Sequence, residues 1–262
     1  MIEENAMLLL IDAGNTRVKW GIPNGDKVPP HGMPDWLHLA SVSHAEIPQL
    51  PAAWQALPIS RILISNVASA AIKAQLSSVL EQYFPAVPVL WFAASASCAG
   101  LQNGYRQPQQ LGCDRFASAI AAHYLYPQQH LIVATCGTAS TIDAVSADGK
   151  FNGGMILPGL KLMAESLARN TAQLPQVAES IAVSQPFADN TDQAIVSGCI
   201  HAQVGAIALA CRALEKQIAA QPVCLISGGA APYLLPHLES AAVHVPNLVL
   251  TGLFVVAQSS PY

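Results

Sequence analysis

One short unit occurs twice in this chain, and it constrains the fold more than any other feature. Met7-Leu-Leu-Leu-Ile11 is an apolar run of strand length, Asp12-Ala-Gly-Asn-Thr16 is a tight polar turn, and Val18 to Ile22 is a second strand. The same grammar returns where Leu131 leads through Thr135-Cys-Gly-Thr-Ala139 to Val145. Setting Gly14 over Gly137 places Leu10-Ile-Asp12 on Val133-Ala-Thr135, and Asn15 on Thr138. Each half thus opens with strand, glycine turn and strand, which predicts two like domains aiming both turns into one cleft.

The rest of the chain alternates strands with helices, so the fold class is α/β. Arg61 to Val67 and Val87 to Phe92 read as buried strands around a helix over Ala70–Tyr83, with Ile72, Leu76, Val79 and Leu80 on one face. Pro23 to Pro58 has no sustained period. The polar stretch Leu101 to Gln110 reads as the domain connection, dividing the chain into residues 1–110 and 111–262. Beyond it come helices over Arg115–Leu125, near Lys161–Arg169 and over Asp192–Ala220, and a strand over Val223–Ile226. A last apolar helix is expected to pack back on the first domain.

Composition removes several function classes. Only 12 Lys+Arg and 16 Asp+Glu occur in 262 residues, while 52% are hydrophobic, which rules out a disordered chain. A net charge of −4 gives no general attraction to nucleic acid or an anionic membrane. So little charge also favours surface hidden between subunits. Glu3 and Glu4 replace the basic start of a secretory segment. The uncharged stretches Gln193–Cys211 and Ser240–Tyr262 contain Gly, His or Pro and read as buried elements of a soluble protein. Six cysteines with no C-x-x-C pair point to free thiols in a reducing cytoplasm. No histidine or cysteine spacing supports a metal site.

Three turns suit phosphate. Asp12-Ala-Gly-Asn-Thr16 offers backbone N–H groups, a carboxylate for Mg²⁺, a hydroxyl and amide for phosphate, and a cation at Lys19. Gly137-Thr-Ala-Ser-Thr141 carries three hydroxyls, and Ser227-Gly-Gly-Ala230 joins a strand to a helix. Each alone is equally an ordinary turn; together they favour a nucleotide site. Gly112-Cys-Asp114-Arg115 opens a helix and has two readings. Asp114 is either a helix cap, or a base with Arg115 as anion clamp for a second substrate and Tyr105 lining the same pocket.

Several motifs occur in a fixed order: Asp12-x-Gly-Asn-Thr-x-x-Lys19, Tyr105, Leu111-Gly-x-Asp-Arg115, Gly137-Thr-Ala-x-Thr-x-Asp143 and Gly153-Gly-x-Ile-x-Pro-Gly159. Ser166-Leu, Thr171-Ala-x-Leu-Pro175, Asn190-Thr191, Ala194-Ile, Ser197-Gly198 and Gly228-Gly229 continue the series. Together they resemble the type III pantothenate kinases of bacteria. The resemblance implies two ribonuclease-H-like (actin-like) domains flanking a nucleotide cleft. It implies ATP-dependent phosphorylation of pantothenate to 4'-phosphopantothenate, the first step of coenzyme A biosynthesis, in a cytoplasmic homodimer. The loop with Asp12, Gly14, Asn15, Thr16 and Lys19 would hold ATP and, through Asp12 and water, Mg²⁺; Thr138 would contact ATP. Asp114 matches the family's proton acceptor, and Tyr105, Gly112, Arg115 and Thr191 match its pantothenate-binding positions. The family often has Asp where this chain has Thr135, at the site of an activating monovalent cation. A neutral hydroxyl lacks that charge, so a K⁺ or NH₄⁺ requirement stays open. Two other readings are a different small-molecule kinase of the same superfamily and a non-enzymatic accessory regulator of transcription.

Overall fold

The structure, a computed structural model, describes residues 6–25, 27–171, 174–175, 183 and 185–259. Glu3, Glu4, Ala172 of the Thr171–Pro175 motif and the last three residues lie outside the described part. The first part of the chain runs β1 (Met7–Ala13), β2 (Arg17–Pro23), β3 (Trp36–Ser43), a 3₁₀ turn (His44–Gln49), α1 (Leu50–Trp54), β4 (Ile59–Asn66), α2 (Ala70–Tyr83) and β5 (Val89–Phe92). A small hairpin, β6 (Ser97–Cys98) with β7 (Leu101–Asn103), and a 3₁₀ turn (Pro108–Gln110) precede α3 (Cys113–Leu125). Then follow β8 (Leu131–Cys136), β9 (Ala139–Val145), β10 (Lys150–Pro158), α4 (Leu160–Asn170), α5 (Thr191–Ile218), β11 (Val223–Ser227), α6 (Ala231–Leu234), β12 (Ala242–His244) and α7 (Leu248–Ser259).

These elements form two compact units, one reaching to Pro127 and taking in the chain from Leu248, the other spanning Gln128–Asn247. The boundary therefore falls after α3, not at residue 110. The physical reason is α3 itself. Its Phe116, Ala117, Ile120 and Ala121 are buried, and Gly252 of α7 lies so close to the Ala117 carbonyl that a side chain there would collide with it. The α3–α7 pair makes α3 part of the first unit's core.

Each unit repeats one topology. In the first, the strand order is β3-β2-β1-β4-β5, with β1–β2 and β2–β3 antiparallel and β1–β4 and β4–β5 parallel. In the second, β10-β9-β8-β11-β12 follows the same order and the same senses. This is the ribonuclease-H-like sheet, and the doubled strand–turn–strand unit in the sequence is its first hairpin in each case. β3 and β10, which the sequence does not announce, are the third strands. β3 has no buried residue and β10 buries only Phe151, so neither carries a buried apolar run.

In the first unit, Leu9, Ile11 and Ala13 of β1 pack with Ile62 and Ile64 of β4 against Ile47, Leu50, Trp54, Leu76 and Leu80. The opposite face of that sheet meets α3 and α7. α2 forms where the sequence predicts it, its first turn capped by Ser69 Oγ, which accepts the Ile72 N–H at 3.4 Å. In the second unit, α5 buries Ile195, Val196, Cys199, Ile200, Val204 and Ile207 in a core with Ile132, Ala134 and Ile226. α5 is long and apolar enough to cross a membrane by length and composition, but half of its most apolar window is inside this core.

Candidate active site

Asp12 ends the buried run of β1 and shares its face with two neighbours across the strands. It pairs in register with Lys19 of β2 and with Ser65 of β4. Ser65 is buried and contacts Cys113 Sγ at 3.3 Å, which brings the first turn of α3 to this same face. Between Asp12 and Lys19 the chain reverses sharply, with Gly14 N–H donating to the Arg17 carbonyl at 3.0 Å. Asn15 and Thr16 form the exposed tip. The loop thus brings one carboxylate and one ammonium beside exposed backbone at Asn15 and Thr16, which is chemistry for polyphosphate.

Asp114 and Arg115 sit in the first turn of α3, but the cap is Gly112, so Asp114 is not the capping residue. Its Oδ1 accepts the Arg115 N–H at 2.8 Å. Burial pushes the Asp114 carboxyl above the ordinary range, and the Arg115 N–H and guanidinium only partly offset that. Arg115 is 6% exposed, and its Nη1 donates to Tyr105 Oη at 2.9 Å while the guanidinium lies 5.7 Å from the Tyr105 ring centroid. Tyr105 is held in turn by Asn103, whose Oδ1 accepts the Tyr105 N–H at 3.0 Å and whose Nδ2 donates to the Pro108 carbonyl at 3.0 Å. Asn103 was not singled out from the sequence; the Asn-Gly pair two residues before Tyr105 was its signal.

Asp12 and Asp114 feel one another. The Asp12 carboxyl is pushed up to about 7, chiefly by burial, with Lys19 opposing and the charge of Asp114 adding. Among the described residues no hydrogen-bond donor reaches its carboxylate. A half-buried carboxylate without a donor, beside a second carboxylate, suits Mg²⁺, which binds one or two carboxylates and keeps several waters. Among the described residues no group of three or more His, Cys, Asp or Glu forms a fuller metal cage. The first unit's hollow of about 900 Å³ lies elsewhere, at the other ends of β1, β4 and β5, lined by Leu8, Leu63, Leu90 and Phe254.

In the second unit, Gly137, Thr138 and Ala139 form the exposed tip of the β8–β9 turn, closed by Gly137 N–H to the Ala139 carbonyl at 3.0 Å. Two glycines fit against its backbone. Gly159 N–H donates to the Thr138 carbonyl at 2.8 Å, and a Cβ at Gly159 would strike the Gly137 carbonyl. Gly228, at φ +92°, packs on the Cys136 carbonyl, and Ala230 N–H donates to that carbonyl at 3.0 Å. Gln203 of α5, buried and polar, accepts from Ser140 Oγ at 2.7 Å and donates to the Pro158 carbonyl at 3.1 Å, locking both flanks of the turn. Nothing in the sequence marks Gln203 beyond its place in an apolar helix. Thr135 pairs with Thr141 and Ser227, so hydroxyls and no carboxylate occupy that level of the sheet. Thr191 is the first residue of α5, exposed, behind the cap Asn190, whose Oδ1 accepts the Gln193 N–H at 3.0 Å. The site residues thus fall into two groups. Asp12, Gly14, Asn15, Thr16, Lys19, Tyr105, Gly112, Asp114 and Arg115 lie in the first unit; Thr135, Thr138 and Thr191 lie in the second.

A family model described as type III pantothenate kinase matches residues 8–213. A protein named type III pantothenate kinase from Herminiimonas arsenicoxydans is 51% identical over 258 residues, covering 96% of this chain and 97% of that protein. Among solved structures, one titled as a conserved putative Baf family transcriptional activator from Campylobacter jejuni superposes with a TM-score of 0.57 at 20% identity, covering 95% of this chain and 97% of that one. A glucokinase from an Antarctic psychrotroph gives 0.52 at 11% identity, covering 98% and 100%. Those two likenesses show the fold.

Proposed function

The chain belongs to the type III pantothenate kinase family, and from that premise we propose that it transfers the γ-phosphoryl group of ATP to the primary hydroxyl of pantothenate. The reaction is the first step of coenzyme A biosynthesis. The observation that carries this reading is the single face of the first unit on which Asp12, Lys19 and the Asp114–Arg115 turn meet.

The roles follow from the chemistry of each group. The Gly14–Lys19 loop binds ATP phosphates with its N–H groups and the Lys19 ammonium, and the family resemblance gives Thr138 a further ATP contact. Asp12 would hold Mg²⁺, and the ion would supply neutralisation of the phosphate charge. Arg115, oriented by Tyr105, binds the pantothenate carboxylate end or its amide oxygen, with Gly112 giving backbone approach and Thr191 a further contact. Asp114 accepts the hydroxyl proton. Phosphoryl transfer has a loose transition state, so the proton leaves late and positioning carries most of the acceleration. A carboxyl raised by burial is a better acceptor than one near 3.9.

The enzyme acts in the cytoplasm as a homodimer. Gly198 and Gly205 of α5 have no other atoms within contact of a notional Cβ, and Gly198, Ala202, Gly205 and Leu209 form one exposed stripe. That stripe supports close approach of a second copy. Thr135 in place of the family's carboxylate supports weak selection among monovalent cations. Initial rates in KCl, NH₄Cl and NaCl at matched ionic strength should be similar; silence in NaCl with strong activation by KCl would contradict this.

The function is tested by ATP consumption with pantothenate, glucose and no acceptor in parallel. Consumption only with pantothenate is expected. Consumption with glucose alone would assign another kinase of the superfamily, and none with any acceptor would favour a regulator.

A further inference from the structure

We infer that His44 is a positioning residue for the first phosphate loop: its imidazole fixes the Gly14–Asn15 peptide so that the Asn15 N–H faces the phosphates. The inference deepens the kinase reading and rests on it for the identity of the ligand.

His44 begins the 3₁₀ turn after β3 and places its Nε2 2.9 Å from the Gly14 carbonyl oxygen. A carbonyl only accepts, so Nε2 carries the proton and donates. A trans peptide points its N–H opposite to its C=O. Pinning the Gly14 carbonyl toward His44 therefore turns the Asn15 N–H away from the 3₁₀ turn. The direction matters because the two faces of the sheet differ. The 3₁₀ turn packs through Ile47 on the face of Leu9, Ile11 and Ala13, whereas Asp12, Lys19 and Ser65 belong to the other face, with α3. The clamped N–H points to the side that carries the carboxylate and the ammonium. A flip of this peptide would put a carbonyl oxygen against phosphate instead.

Two further observations place the bracing at this corner. Arg17, at the far end of the same loop, donates from Nε to Ser41 Oγ at 2.8 Å and from Nη2 to the Ser41 carbonyl at 2.9 Å, so β3 and the turn that follows it hold the loop at its two ends. Glu46 accepts the Ser43 N–H at 2.7 Å and thereby fixes the start of the turn on which His44 stands. The second unit has a comparable tether, one residue further along its loop. Where β10 passes into α4, the Gly159 N–H tethers the Thr138 carbonyl of the second loop.

The test uses the full-length protein with His44→Ala, which removes the donor at a half-buried position, and His44→Gln, which restores an N–H donor. MgATP affinity is titrated without pantothenate, and KM for pantothenate and melting temperature are measured alongside. One orienting hydrogen bond predicts about three- to tenfold weaker MgATP binding in His44→Ala, with His44→Gln within about twofold of wild type. KM for pantothenate should not move. Equal MgATP affinity in His44→Ala and wild type would overturn the inference, as would equal losses in the Ala and Gln variants. Whether the wild type phosphorylates pantothenate judges the kinase reading alone; nucleotide affinity judges the clamp alone.

Discussion

Asp12 and Asp114 are two carboxylates placed where burial works against their charge, and each makes a separate prediction. Asp114 is not the helix cap, so Asp114→Asn should leave melting temperature nearly unchanged while kcat falls roughly 10²–10⁴-fold; full turnover in the variant would remove Asp114 from the chemistry. Asp12 tests the stored strain. Its folded-state value of about 7 lies above its unfolded value of 3.8, so its contribution to stability is whole at low pH and is lost as pH rises between the two values. Asp12→Asn lacks that loss. The ligand-free variant should therefore melt higher than wild type by several degrees at pH 8, with little difference at pH 4, while Mg²⁺-dependent turnover disappears. Thermal scans at the two pH values check the sign. The turn and helix-start settings in the sequence single out both carboxylates as candidates. It did not separate cap from base at Asp114, because one helix-start pattern serves both and only the position of Gly112 decides.

At the scale of elements, the contact between α3 and α7 sets the place of the turn that carries Asp114. Gly252 lies against the Ala117 backbone, one turn after Asp114. Gly252→Val should push the helices apart, costing about 1–3 kcal/mol as overpacking does and lowering turnover together with melting temperature. A variant with unchanged stability and activity would show that the helices need no such approach. The helices and central strands were legible because each buries an apolar face with its own period: α2 appears over the predicted residues, and α4 and α5 shift by only a residue or two at their ends. β3 and β10 were not legible, since neither carries a buried apolar run: β3 leaves Leu37 and Leu39 exposed, and β10 buries only Phe151 and holds an adjacent pair of glycines. The braces of the loops were hidden for a related reason. His44, Asn103 and Gln203 act through one or two hydrogen bonds each to backbone or to a hydroxyl, and a single polar residue has no periodic signature.

For the whole molecule, the doubled hairpin was the most informative part of the sequence, because a repeated opening unit implies a repeated topology, and both sheets have it. The division between units differs from the one expected at Leu101–Gln110, because α3 packs on α7 and the boundary falls after α3. The exposed stripe on α5 makes its own prediction. Light scattering should give twice 27.5 kDa at micromolar concentration, and Leu209→Asp, at a position 54% exposed in the single chain, should shift the mass toward the monomer. A wild-type monomer with full activity would contradict the dimer. The central claim is that this chain moves a phosphoryl group from ATP to the primary hydroxyl of pantothenate. The direct measurement is the product itself, by ³¹P NMR and mass spectrometry after incubation with ATP, Mg²⁺ and pantothenate. One new phosphomonoester on the primary hydroxyl, formed in step with ADP, is the result predicted; ADP formed with inorganic phosphate and unchanged pantothenate would contradict it.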